Sequence, residues 1–146
     1  MMYATCLKNL RNINGKSQSD IALILNITRS TYSDYEKEYQ IIPIKHLVTL
    51  TNYYNVSLDY VFSYTNVKNY NFSLAEIDKV KSGLRIKQFR KSIKYTQKRL
   101  AATINTVAQV ISKYEKGVNL IATPFLYEIC IKYNVSADYL LGRIDY

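Results

Sequence analysis

The 146-residue sequence has little of what most enzymes need. It holds one histidine, His46, and two cysteines, Cys6 and Cys130. A single imidazole offers no cluster of metal ligands. No carboxylate pair, glycine-rich phosphate loop or metal-ligand spacing accompanies it, so an enzyme is not expected. His46 reads as a solvent-facing or hydrogen-bonded side chain. No metal and no cofactor is implied. The cysteines are far apart and read as free, buried thiols of a reducing cytosol. Long apolar runs are also missing. Lys8 and Arg11 break up the N-terminal apolar residues, which excludes a signal-peptide pattern, and no stretch approaches the length of a bilayer span. Acidic residues are in deficit, 11 against 20 Lys and Arg, for a net charge of +9. That balance points to an anionic partner: nucleic acid, an anionic membrane face or an acidic protein. The basic residues do not accompany an exposed apolar face, so a membrane is disfavoured. Apolar residues make up 48% of the chain, enough for packed cores.

What is present is a unit written twice. "SDYEKE" at 33–38 returns as "SKYEKG" at 112–117, an offset of 79 residues. The same offset aligns positions 7–64 with 86–143 without a gap. Lys8/Lys87, Arg11/Arg90, Gln18/Gln97, Ala22/Ala101, Asn26/Asn105, Tyr35/Tyr114, Glu36/Glu115 and Leu47/Leu126 are identical pairs. "YNVSxDY" closes both copies, from Tyr54 and from Tyr133. A gapless match of this length marks a duplicated domain.

Each copy reads as helices. Tyr3, Leu7 and Leu10 line one face of a first helix, with Ile86 and Phe89 in the second copy. Ser17 with Asp20, and Thr96 with Gln97, resemble capped helix starts. Ile21, Ala22 and Leu25 then face inward, as do Leu100, Ala101 and Ile104. Breaks at Asn26-Ile27-Thr28 and Asn105-Thr106-Val107 precede a third helix, at about 29–37 in the first copy. A fourth helix carries Leu47 and Leu50, or Leu126 and Ile129. Ser57 and Ser136 cap a short fifth. No strand alternation appears. The polar, aperiodic stretch 65–73 reads as a linker, and Ser73 with Glu76 predicts a connecting helix at about 74–82. The expected organisation is all-α: a first domain at 1–65, a linker and connecting helix at 66–82, and a second domain at 83–146.

"LRNINGKSQSDIA", "DYEK" and "NVSLDYVF" in the first copy, and "FRKSIKYTQKRLA", "KYEKG" and "NVSADYLL" in the second, resemble the Cro/cI-type (xenobiotic-response-element) helix-turn-helix domain. The resemblance covers nearly all of the chain except the linker. It implies two tandem lambda-repressor-like five-helix domains and sequence-specific binding of duplex DNA by a small cytoplasmic transcriptional repressor of a bacterium or phage. By that resemblance Arg11 pairs with Glu36 and Arg90 with Glu115 as structural ion pairs. Gln18, and Gln97 with Lys98, stand where the first helix of the pair meets a phosphate. Base-reading positions fall on Arg29, Ser30 and Thr31, and on Ala108, Gln109, Val110 and Lys113, with Lys116 near the backbone. Val107 stands where Thr28 caps its helix, so Thr106 is a candidate cap that would shift the second reading helix by one residue.

The copies differ in charge. Residues 1–66 hold six basic and five acidic side chains, and residues 67–146 hold fourteen and six. Phosphate contacts dominate affinity, so DNA binding is expected to rest more on the second copy. Asp34 and Glu38 oppose phosphates in the first. An alternative is a divided regulator, in which the first domain binds a protein, as in antitoxin-like or inhibitor-like proteins, while the second binds DNA for autoregulation. The same asymmetry favours a homodimer, with two second copies on DNA, over a covalent pseudo-dimer within one chain.

Overall fold

The computed structural model describes residues 2–146, with the side chains of 3–146. Among the described residues there are ten α-helices and no strand. They divide into two compact units, one ending at Tyr70 and the other starting at Asn71.

Unit 1 contains α1 (Met2–Ile13), α2 (Gln18–Leu25), α3 (Arg29–Glu36), α4 (Ile44–Tyr54) and α5 (Leu58–Val61). Local chemistry sets most of its boundaries. Ser17 caps α2 through a reciprocal capping box with Asp20. Asn26 ends α2 in the left-handed conformation that Asn tolerates. Thr28 caps α3 by accepting from the Thr31 amide, and Ser57 caps α5 through the Tyr60 amide. The core joins Tyr3, Leu7 and Leu10 of α1 to Ile21, Ala22 and Leu25 of α2, Tyr32 and Tyr35 of α3, and Leu47, Leu50 and Leu58. Ala22 of α2 is buried, α2 packs on α3, and the Ala22 carbonyl accepts the Ile27 amide.

Unit 2 contains α6 (Lys79–Ser92), α7 (Gln97–Thr103), α8 (Ala108–Glu115), α9 (Thr123–Tyr133) and α10 (Ala137–Leu140). Its core repeats the pattern with Ile86, Leu100, Ala101, Ile104, Ile111, Tyr114, Leu126, Ile129 and Leu140. Fully buried Tyr32 has the smaller Ile111 as its counterpart, so the two cores are packed with different volumes.

Two expectations are corrected. The predicted connecting helix at about 74–82 is not an element of its own. Asp78, not Ser73, caps the helix by accepting from the Val80 and Lys81 amides, and α6 runs unbroken from Lys79 into the second copy's first helix. The Ser73 hydroxyl accepts from the Ala75 amide in a local turn instead. Second, Thr106 does not shift α8. Val107 is the N-cap residue, without a side-chain hydrogen bond, and the helix starts at Ala108 as its counterpart starts at Arg29.

The linker is tied down on both sides of residue 70. The Ser57 amide donates to the Lys68 carbonyl at 2.7 Å, Asn69 Nδ2 donates to Asn55 Oδ1 at 2.7 Å, and the Tyr70 hydroxyl donates to buried Asp59. In unit 2 the Ser73 amide donates to the Arg143 carbonyl at 2.8 Å, and the Arg143 guanidinium lies 4.3 Å from the Phe72 ring centroid. Arg143 also donates to the buried Asp138 carboxylate at 2.8 Å. Asp59 and Asp138 are matched positions. Tyr64 stands where unit 2 has Arg143, so the buried carboxylate of unit 1 uses a tyrosine from the linker. Of the two cysteines, Cys130 is buried and Cys6 only half-buried; both are free thiols.

Candidate nucleic-acid interface

In each unit an ion pair joins the first helix to the end of the third. Arg11 Nε and Nη2 donate to the two Glu36 carboxylate oxygens at 2.7 and 2.9 Å. Arg90 grips Glu115 in the same bidentate way at 2.6 and 2.9 Å. The remaining Arg nitrogens cap the chain, Arg11 Nη1 at the Lys16 carbonyl and Arg90 Nη1 at the Tyr95 carbonyl. Burial pushes the Glu36 carboxyl up, but the hydrogen bonds from Arg11 and Gln18 oppose it, and the group is held below the usual carboxylate range. These pairs fix how the third helix stands on the unit.

Gln18 and Gln97, expected at a phosphate, also serve this lock. Gln18 Nε2 donates to Glu36 Oε1 at 3.3 Å and Gln97 Nε2 to Glu115 Oε1 at 3.1 Å. Each amide carries a second N–H beyond the one given to the carboxylate.

Helical periodicity places the outward residues of α8. Ile111, Tyr114 and Glu115 are buried, so Gln109, Lys113 and the C-cap residue Lys116, at i, i+4 and i+7, form the exposed stripe. Ala108 and Val110 are half-exposed beside it. In unit 1 the matched positions are exposed Ser30, half-buried Asp34 and, at the C-cap of α3, exposed Lys37, with Arg29 exposed and Thr31 half-exposed. Asp34 is held by Gln40, whose Nε2 donates to it at 2.9 Å.

The first turn of α7 adds a residue that the motif did not single out. Exposed Arg99 lies at the third helical position, 4.1 Å from the Tyr95 ring centroid, next to exposed Lys98. Unit 1 has Asp20 there, spent on the capping box. Comparing the copies column by column would have found it. Ser19/Lys98, Asp20/Arg99, Asp34/Lys113 and Glu38/Gly117 all make unit 2 more positive around its second and third helices.

Three features thus define each unit: a short capped helix, a tight turn, and a second helix whose polar stripe faces out from an Arg–Glu lock. Such a unit is a helix-turn-helix domain. The family model described as Helix-turn-helix (HTH_3) matches residues 7–61 and again residues 86–140. The chain therefore belongs to the Cro/cI-type helix-turn-helix family of DNA-binding transcriptional regulators, and carries its domain twice.

Among curated relatives it is similar to the uncharacterized HTH-type transcriptional regulator YobD of Bacillus subtilis, 34% identical over 65 residues, covering 44% of this chain and 58% of the relative. It is also similar to the HTH-type transcriptional regulator ImmR of Bacillus subtilis, 39% identical over 61 residues, covering 42% of this chain and 48% of the relative. The chain spans about half the length of the curated relatives it matches. No solved structure matches it. No helix among the described residues is long and apolar enough to cross a membrane.

Proposed function

We propose that this chain is a transcriptional repressor that binds duplex DNA in a sequence-specific way, with unit 2 supplying most of the affinity. The observation that carries this is the charge reversal at matched positions on one shared scaffold, Asp20 to Arg99 and Asp34 to Lys113. A scaffold needs neither change. A polyanion does, because neutralising phosphates supplies most of the binding free energy. Gln109 and Lys113 would take base edges, Gln as a bidentate partner of adenine and Lys as a donor to guanine. Lys98, Lys116 and the second Gln97 N–H would take the backbone. Ala108 and Val110 would lie against the groove floor. Arg29, Ser30 and Thr31 would do the corresponding work in unit 1, opposed by Asp34 and Glu38. Selection of binding duplexes from a random pool tests the reading and gives the site. Gln109→Ala and Lys113→Ala are each expected to weaken the selected duplex by roughly 1–3 kcal/mol. Failure to enrich any sequence would end it.

A second reading, the divided regulator, has its own support. Unit 1 exposes Ile13, Leu23 and Tyr53 where unit 2 has Ser92, Ala102 and Lys132. Apolar exposure together with Asp20, Asp34 and Glu38 suits a protein partner better than a phosphate backbone. The two readings part at Arg29→Ala. It weakens duplex binding if unit 1 reads bases, and leaves it unchanged if unit 1 holds a protein.

A further inference from the structure

Thr28 and Thr31 of unit 1 are matched by Val107 and Val110 of unit 2. In unit 1 the pair is a working cap. Thr28 Oγ1 accepts from the Thr31 amide at 3.2 Å and lies 3.0 Å from Thr31 Oγ1. Valine has nearly the same shape as threonine but no hydroxyl. Val107 therefore has no side-chain cap to offer, and the residue is 61% exposed. Folding does not account for the exchange, since it forgoes a cap and leaves an isopropyl group in water. The neighbouring Arg29-to-Ala108 exchange removes a charge from the same edge. The leading edge of α8 is thus apolar, at Val107, Ala108 and Val110, while the same pair of helices carries exposed cations: Lys113 on α8, Lys116 at its C-cap, and Lys98 and Arg99 in the first turn of α7.

An apolar edge framed by cations fits a polyanion that offers apolar groups between its charges. In the major groove of DNA those groups are the thymine 5-methyls. We infer that Val107 and Val110 read thymine methyl groups, with Gln109 on an adjacent adenine, so that the sequence bound by unit 2 is rich in A·T pairs and depends on the methyls. This rests on the DNA-binding reading above and adds the chemical class of the base contact.

The experiment uses the full chain and its selected duplex. Each thymine is replaced in turn by uracil, which keeps every hydrogen-bonding group and removes only the methyl. At one or two positions the exchange is expected to weaken binding about fourfold, the value of one buried methyl. Val107→Ser and Val110→Ala should weaken the thymine duplex by a similar factor and abolish the uracil penalty at their own positions. Neither variant is expected to unfold the unit, because serine restores a cap and alanine favours the helix. Thermal melting of the variants verifies this. Equal affinity of the wild type for thymine and uracil duplexes overturns the inference and leaves DNA binding standing, with the apolar edge assigned to some other partner. A uracil penalty that persists in both variants also overturns it. Failure to select any duplex removes both readings together.

Discussion

Glu38 occupies a backbone conformation, φ 62°, that its counterpart Gly117 meets at φ 71°. Both follow the last turn of the third helix, where the residue after the cap turns left-handed so that the next amide can reach back to a helix carbonyl. Glycine adopts that conformation without a Cβ penalty. Unit 2 needs glycine twice over, because a Cβ at 117 would come within 2.9 Å of the Val80 side chain. Glu38→Gly is expected to stabilise unit 1 by about 1 kcal/mol, read as a higher urea midpoint. The Arg–Glu locks give a sharper residue-level prediction. Arg90→Ala leaves the buried Glu115 carboxylate without its partner and is expected to cost about 3–5 kcal/mol. Arg90→Met combined with Glu115→Leu removes both charges and should cost much less. Urea unfolding of the three proteins compares them. The Glu36 carboxyl is held below its ordinary value in the folded chain, so it binds protons more readily when unfolded. Its contribution to stability is therefore complete above the unfolded value, about pH 4.3, and is lost as pH falls through the lower folded value. Glu36→Gln should flatten that acid limb of the stability–pH curve. An unchanged slope would contradict the lock as the source.

At the scale of elements, matched helices differ at their ends and crossings. α3 has a threonine cap and α8 has none, so Val107→Thr is expected to stabilise unit 2 by about 1 kcal/mol. Thermal unfolding measures the change, and the same variant separates stability from DNA affinity. α6 crosses the end of α8 so closely that a Cβ on Gly83 would fall 2.3 Å from the Tyr114 carbonyl oxygen and 3.0 Å from that of Glu115. Gly83→Ala must push α6 away and is expected to cost about 1–3 kcal/mol. Position 4, matched to Gly83, holds a buried alanine, so α1 and α3 accommodate the Cβ that α6 and α8 do not. Helix identities were legible in the sequence, since apolar spacing and the caps at Ser17, Thr28, Ser57, Asn26 and Thr96 are local signals. The start of α6 was not. Ser73–Glu76 and Asp78 both resemble starts, and only the packing of Val80 against Gly117 and of Gly83 against α8 favours the later one.

For the whole molecule the open quantity is how many chains meet one operator. Two chains per DNA site, with Arg29→Ala silent, is the outcome expected if unit 1 holds a protein and leaves the duplex to unit 2. Native mass measurement of the protein–DNA complex reads this directly. One chain per site, with both Arg29→Ala and Gln109→Ala harmful, would instead mean that the two units read unequal half-sites together. The salt dependence of binding adds a second measurement. Lys113→Ala should lower the steepness of log affinity against log salt if Lys113 lies on a phosphate, and leave it unchanged if it lies on a base.

The sequence by itself determined the duplication, the helical class and most of the capped helix starts, because each depends on short-range spacing or on one copy confirming the other; the partners of Arg11 and Arg90 followed from the family resemblance. Only the tertiary structure decided which polar groups are already spoken for. Gln18 and Gln97 look like free phosphate donors in the sequence, yet each gives an N–H to a lock carboxylate eighteen residues further along the chain. Residues 68–73 look like an untethered linker, yet Tyr70 answers the buried Asp59 and Phe72 covers the Arg143 that answers Asp138. A buried carboxylate must have a partner, but nothing in a linear sequence says which residue supplies it. That depends on the chain's path past the short fifth helix of each unit, and the path is fixed by packing rather than by local propensity.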